Sequence, residues 1–142
     1  MNEPFIIERT YNAPVKLVWK AITEKELMDQ WYFKLKEFKA EVGFVFEFSG
    51  GPSPEKQYLH RCKILEAIPE KKLKHTWEYV GYEGMSYVTI ELFPEGDSTR
   101  VKLTHEGLET FPASNTDFAK GNFAEGWTAI IGKLLKEFVE TH

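Results

Sequence analysis

The stretch from Asn122 to Glu140, NFAEGWTAIIGKLLKEFVE, decides the fold. Its large apolar residues recur at steps of three and four and so share one face of a helix: Phe123, Trp127, Ile130, Ile131, Leu134 and Phe138. Asn122, with Glu125 three residues later, resembles an N-cap and its capping-box partner and predicts where this long helix begins. Ser114 or Thr116 would start a shorter helical turn before it. A helix with so aromatic a face needs a broad apolar surface to lie against.

Composition sets the broad class of the protein. A length of 142 residues predicts one domain, 1–142, that buries about two thirds of its unfolded surface without metals or disulfides. The lone Cys62 excludes an internal disulfide and fits a reducing compartment. Neither a membrane-spanning apolar run nor a signal-peptide pattern is present, so we expect a cytoplasmic protein with no membrane insertion. The net charge is -4 and lysines alternate with acids, so no nucleic-acid binding is expected.

The N-terminal part predicts a strand followed by two short helices. Residues 5–10 are rich in β-formers, and Pro14 suits the first turn of the first helix. Thr23 with Glu26 resembles a capping box for the second helix, whose Leu27 and Trp31 would face inward.

From residue 35 onward the apolar period changes to two, which indicates β-strands. Alternating runs cover residues 44–49, 58–68, 73–79, 88–92 and 101–105. The stretch from Gly50 to Pro54 ends the first run and is interpreted as a turn or mobile flap, since it lacks the lysine and helix of a phosphate-binding loop. Successive strands joined by short turns form an antiparallel meander with one apolar face, which the long helix would cover.

Several short motifs carry a resemblance to a known family. They are PVKLVWKAIT at residues 14–23 with Leu27 and Trp31, LKHTW at 73–77, Thr104-His105 and Gly126-Trp127. Together, in this order, they resemble the SRPBCC or START-like (Bet v 1-like) superfamily, and within it the group of activator of heat-shock-protein-90 ATPase homologues. The resemblance implies an α+β helix-grip fold: a curved antiparallel β-sheet wrapped around a long C-terminal α-helix, with two short helices after the first strand. Relatives include lipid and hormone carriers, polyketide cyclases and chaperone regulators, so it does not fix the function.

The inward face of the predicted sheet has the composition of a small-molecule pocket. Counting along the hairpins places Cys62, Tyr79, Ser86 and His105 in one cross-strand row. The other predicted ligand-binding residues surround that row: Trp31, Phe46, Phe48, Tyr58, Trp77 and Val88, with Phe123, Trp127 and Ile131 from the helix. A mostly apolar site with a few polar groups is usual for small ligands. An empty cavity of about 300 Å³ would cost on the order of 7 kcal/mol, so the space is wet, occupied or filled by aromatic side chains.

Catalysis and metal binding have weaker support in the sequence. His105 is the one candidate catalytic residue, as a general base whose tautomer Ser86 or Tyr79 would hold. His75 lies roughly 13 Å from His105 along the predicted sheet and Cys62 on the order of 14 Å away, too far to share a metal. Burial would raise the thiol pKa of Cys62 and argues against a nucleophile. Glu66, where the alternation slips, is the acid that could face inward. No metal and no cofactor are predicted.

The sequence thus favours binding of a small hydrophobic or aromatic molecule between sheet and helix, by a carrier, sensor or stress-response protein. One alternative is a chaperone-associated protein-interaction module with a vestigial cavity. Another is a cyclase- or hydrolase-type enzyme using His105. We expect a monomer or weak homodimer.

Overall fold

A computed structural model describes residues 3–32 and 35–142, and within them six strands form one antiparallel sheet. In chain order the elements are β1 (Phe5–Tyr11), α1 (Val15–Thr23), α2 (Lys25–Trp31), β2 (Val45–Ser53), β3 (Lys56–Ile68), β4 (Lys72–Tyr79), β5 (Ser86–Glu95), β6 (Ser98–Glu106), two 3₁₀ turns (Leu108–Thr110 and Thr116–Phe118), α3 (Lys120–Ala129), a π-helical segment (Ile130–Leu134) and α4 (Leu135–Glu140). The strand order is β1-β6-β5-β4-β3-β2. A curved sheet around a long C-terminal helix confirms the predicted helix-grip fold.

The core lies between the inner face of the sheet and the C-terminal helix, which α3, the π-helical segment and α4 form together. The alternating pattern predicted this face well. In β4 the predicted inward residues Leu73, His75, Trp77 and Tyr79 are all buried. No helix among the described residues is long and apolar enough to cross a membrane.

The inward stripe of the C-terminal helix depends on its π-helical segment. Phe123, Trp127, Ile131 and Leu135 are buried at a spacing of four, and four residues of an ideal α-helix turn about 40° beyond a full circle. In a purely α-helical segment, this row of four side chains would therefore turn progressively away from the sheet. The Leu135 N–H instead donates to the Ile130 carbonyl five residues back, and this wider turn keeps the stripe inward. The prediction that Leu134 faces inward is wrong for the same reason, since Leu134 is 42% exposed.

Tyr11 satisfies one of the backbone groups that the π-helical segment frees. Its buried hydroxyl donates to the Ile131 carbonyl at 2.5 Å. This hydrogen bond joins β1 to the middle of the C-terminal helix, and it holds the π-helical turn in place against the first strand.

Both predicted capping boxes are wrong. The C-terminal helix begins at Lys120, and the Asn122 side chain donates to the Thr116 carbonyl before it. At the second helix Glu24 occupies the N-cap, while the Thr23 hydroxyl donates back to the Trp19 carbonyl. Short polar side chains can bond several nearby backbone groups, so their presence does not locate the cap.

The predicted loop from Gly50 to Pro54 is mostly strand. Gly50 pairs with Tyr58 and Ser53 with Lys56, with a register shift between the two pairs. A Cβ atom on Gly51 would lie 1.9 Å from the Lys56 carbonyl oxygen, so this bulged hairpin closes only around glycine. The β2–β3 hairpin thus extends toward the loop that precedes α3.

Candidate ligand-binding cleft

A cleft runs between the C-terminal helix and strands β3 and β4, as three adjoining hollows. The outer hollow, about 350 Å³, lies beside the β2–β3 hairpin. It shares Tyr79, Asp117 and Asn122 with a middle hollow of about 160 Å³. The middle hollow shares Trp127 and Ile130 with an inner hollow of about 30 Å³. The space therefore narrows from the mouth toward the core.

Aromatic side chains fill the deep end of the cleft. The inner hollow holds about one water molecule. Phe38 packs edge-on against Phe46 with ring centroids 5.1 Å apart, and Phe46 packs against His75 at 5.2 Å. The room for a ligand lies in the outer and middle hollows.

Twelve of the thirteen predicted site residues fall into two layers. Eight line the three hollows. The inner hollow is lined by Trp31, Phe46, Trp127 and Ile131, and the middle hollow by Trp77, Tyr79, Phe123 and Trp127. The outer hollow is lined by Tyr58 and Tyr79. Four are fully buried behind that lining and face none of the three hollows: Cys62, Ser86, Val88 and His105. Phe48 lies along β2, with its ring stacked on His60 at 4.5 Å.

The predicted cross-strand row is wrong in register. Tyr79 is opposite His60, Ser86 is opposite Trp77, and His105 is opposite Val88. Each of these pairings differs by two residues from the predicted row, because displacing a hairpin turn by one residue shifts the pairing by two. A shift of two keeps every side chain on the same face, so the predicted residues still point inward.

His75 is also displaced from its predicted position. It is opposite Val88, which is opposite His105, so the two histidines share one cross-strand row. Two strand spacings separate them by about 10 Å. No group of three or more His, Cys, Asp or Glu side chains in the described ranges is arranged to hold a metal ion.

His105 is fixed by a directed chain of hydrogen bonds. The Trp127 indole N–H donates to His105 Nδ1 at 2.9 Å, so Nδ1 is an acceptor. The proton of the neutral ring is then on Nε2, which lies 2.8 Å from the Ser86 hydroxyl oxygen. Ser86 in turn donates to the Trp77 carbonyl at 2.7 Å. The chain joins the C-terminal helix to β6, β5 and β4 in one continuous network.

This environment keeps His105 neutral. Burial, with a smaller contribution from nearby His75, lowers its pKa to about 3. Both ring nitrogens are engaged and the side chain is fully buried, so neither nitrogen can reach a ligand in the cleft. The hydrogen bond to Nδ1 holds the Trp127 indole in the wall of the cleft. Burial likewise lowers the pKa values of His60 and His75 to about 4.

Cys62 and Glu66 are both outside the cleft lining. Burial raises the pKa of the Cys62 thiol, with a smaller contribution from Glu78 in the same direction, which agrees with the sequence argument against a nucleophile. Glu66 lies at the register shift of β3, where its carboxylate pairs with Lys72 at 2.9 Å. Glu66, which the sequence singled out as the acid that could face inward, therefore does not do so.

A polar cluster ties the hairpin to the loop before α3 at the mouth of the cleft. The Tyr58 hydroxyl donates to Asp117 Oδ2 at 2.6 Å and accepts from the Asn115 amide at 3.2 Å. The Lys56 ammonium lies 2.7 Å from the same Asp117 oxygen. Hydrogen bonds from Lys56 and then Tyr58 lower the pKa of Asp117, which keeps the carboxylate charged.

Sequence reasoning missed several lining residues. His60 had a signal, because it lies between Tyr58 and Cys62 in the alternation and so shares their inward face. Nothing in the sequence pattern indicated that Asp117 and Asn122 line the cleft, because their positions depend on how the irregular segment between β6 and α3 folds back.

The sheet, the helix it grips and the cleft between them define a START-like, helix-grip protein. Residues 12–140 match the family described as Activator of Hsp90 ATPase homolog 1-like protein, and the chain belongs to that family. No curated protein matches the sequence.

Solved structures share the fold over the whole chain. Protein MLL2253 from Mesorhizobium loti is 25% identical, with a TM-score of 0.80 over 98% of both chains. Protein CV1439 from Chromobacterium violaceum is 21% identical, with a TM-score of 0.82 over 99% of both chains. DynU16, from the dynemicin biosynthetic locus, is 19% identical with a TM-score of 0.80, over 99% of this chain and 48% of DynU16.

Proposed function

We propose that this protein binds a small hydrophobic or aromatic molecule in the outer and middle hollows, as a carrier, sensor or stress-response protein. The observation that carries the proposal is the continuity of the cleft. About 350 Å³ at the mouth leads into about 160 Å³ lined by Trp77, Phe123 and Trp127, while the interior beyond is packed. Ligand pockets are typically concave, mostly apolar and supplied with a few polar groups. A lipid tail or a fused aromatic ring is the kind of group that fits. The proposal extends to a cytoplasmic, single-domain protein that acts as a monomer or weak homodimer.

Gly126 offers a sharp test of the cleft. It lines the middle hollow, is exposed, and has nothing within 4 Å of a Cβ built on it. Gly126→Leu should therefore fill the middle hollow without a clash. Gly121→Leu is the matched control, because Gly121 is an exposed glycine of the same helix that lines none of the three hollows and also has nothing within 4 Å. Gly126→Leu should also stabilise the helix by about 0.5–1 kcal/mol, and Gly121→Leu, in the first turn of α3, by less.

The assay is native mass spectrometry of protein purified from its own host, followed by fluorescence titration with apolar and aromatic compounds. Trp77 and Trp127 line the middle hollow and should report occupancy. We expect Gly121→Leu to retain the ligand mass and the titration response, and Gly126→Leu to lose both. Equal binding by both variants would contradict a ligand in the middle hollow.

The family description supports a second candidate, a chaperone-associated interaction. The two candidates separate in an assay of Hsp90 ATPase rate with added protein. If the protein regulates the chaperone through its outer surface, wild type and Gly126→Leu should change that ATPase rate by the same amount. A cyclase or hydrolase reaction through His105 has less support, because that ring lies behind the cleft lining with both nitrogens bonded.

A further inference from the structure

We propose that the mouth of the cleft selects ligands that carry an ammonium group beside their apolar body. The inference rests on the proposed function, since it assigns a chemical class to the ligand of the same cleft. It follows from the walls of the outer hollow and from a lysine already bound at its edge.

The outer hollow combines aromatic rings with carboxylates. Tyr58, Tyr79 and Phe118 supply the rings, and Asp117 and Glu125 supply the carboxylates. Aromatic faces and carboxylates both attract an alkylammonium group, the rings through their negative faces and the acids by direct charge.

The protein already places a primary ammonium at this position. Lys56 Nζ lies 2.7 Å from Asp117 Oδ2, and the lysine side chain is 59% exposed against 21% for the aspartate. The lysine can swing into water, whereas the Tyr58 hydroxyl holds the carboxylate in place at 2.6 Å. A ligand ammonium entering the outer hollow would therefore replace Lys56 on Asp117. Lys56 acts as an internal competitor for the site.

The described walls of the cleft offer an anionic ligand no cationic side chain. Within the described part of the chain, the walls of the three hollows contain no lysine or arginine. Their two histidines, His60 and His75, are buried and neutral. A carboxylate at the mouth would instead face Asp117 and Glu125, so a fatty acid is disfavoured relative to an amine of the same size.

Three probes with one aromatic body test the charge preference: 1-naphthaleneethylamine, 1-naphthaleneethanol and the carboxylate 1-naphthaleneacetate. Dissociation constants come from ¹H–¹⁵N NMR titrations that follow the Trp77 and Trp127 indole N–H signals. We expect the amine to bind about twofold to fivefold more tightly than the alcohol, the range given by one exposed charge pair, and the acid to bind most weakly. The amine's advantage should shrink at 1 M salt, where the Debye length is about 3 Å.

Charge variants locate the preference. Asp117→Asn should remove most of the amine's advantage and Glu125→Gln a smaller part of it, while Lys56→Met should strengthen amine binding by about twofold to fivefold. Glu125 lies outside the polar cluster that Lys56, Tyr58, Asn115 and Asp117 form at the mouth, so its variant tests the idea even if Asp117→Asn loosens the hairpin. Matched controls are Glu137→Gln, exposed further along the helix, and Lys72→Met, whose lysine pairs with Glu66 at the β3–β4 turn. Neither control should change the order of the probes.

The outcomes separate this inference from the proposed function. Equal binding of all three probes would overturn the charge preference and leave the cleft as a binding site. Tightest binding of the acid, or weaker amine binding in Lys56→Met, would also overturn it. Failure of all three probes to shift either indole signal would refute both proposals.

Discussion

The hydrogen-bond chain through His105 predicts a large loss of stability from one small substitution, Ser86→Ala. The change removes a single oxygen at a fully buried position. It leaves the His105 Nε2–H without an acceptor and takes one donor from the Trp77 carbonyl. A buried donor without a partner costs about 1–3 kcal/mol, and the lost bond to the carbonyl about 0.5–1.5 kcal/mol. We therefore expect a loss of about 2–4 kcal/mol in the free energy of unfolding, and a fall in Tm of about 7–13 °C.

Urea denaturation followed by tryptophan fluorescence measures the loss. Ser49→Ala is the control, because Ser49 is an exposed strand residue, and its substitution should change stability by less than about 0.5 kcal/mol. In addition, ¹⁵N NMR of the wild type should show the His105 tautomer with the proton on Nε2. A Ser86→Ala variant as stable as Ser49→Ala, or a proton on Nδ1, would refute the directed chain.

Three further predictions follow from burial. The buried histidines have pKa values of about 3 to 4 in the folded protein, below about 6.5 when unfolded, so the unfolded chain binds protons first as the pH falls. Their contribution is complete above pH 6.5, and we expect stability in urea to fall by about 4 kcal/mol per pH unit near pH 5. Tyr11→Phe removes the donor to the Ile131 carbonyl and should cost about 1–3 kcal/mol, with faster amide exchange in the π-helical segment. Cys62 should resist iodoacetamide in the native protein and react once unfolded.

Each of these has a result that would contradict it. Unchanged stability between pH 7 and 5 would mean that the histidines titrate equally in both states. Tyr87→Phe is the control for Tyr11, because Tyr87 lies partly exposed on the sheet, and equal effects of the two would deny the role of the Tyr11 hydroxyl. Rapid native alkylation of Cys62 would show that the thiol is reached without unfolding.

The sequence predicted faces better than it predicted registers. Cys62, Tyr79, Ser86 and His105 were placed on the inward face by alternation alone, and all four are buried there. The predicted cross-strand partners of these residues were wrong by two positions, because the sequence of a turn locates the centre of a hairpin only to within one residue. The polar partners of His105 illustrate the difference. Ser86 or Tyr79 was predicted to hold its tautomer, and Ser86 does lie at Nε2, although Val88 and not Ser86 is directly opposite His105, whereas the bond from Trp127 was not predicted.

Local pattern determined which residues point inward, because side chains alternate along a strand and repeat along a helix whatever lies opposite. It therefore sufficed for the helix-grip fold and for most of the aromatic lining of the cleft. Only the tertiary structure decided the π-helical turn that moves Leu135 into the place of Leu134, the closure of the inner hollow to about 30 Å³, and the meeting of Lys56, Tyr58 and Asp117 at the mouth. These features depend on how segments far apart in the chain pack against each other, and no local pattern encodes that packing.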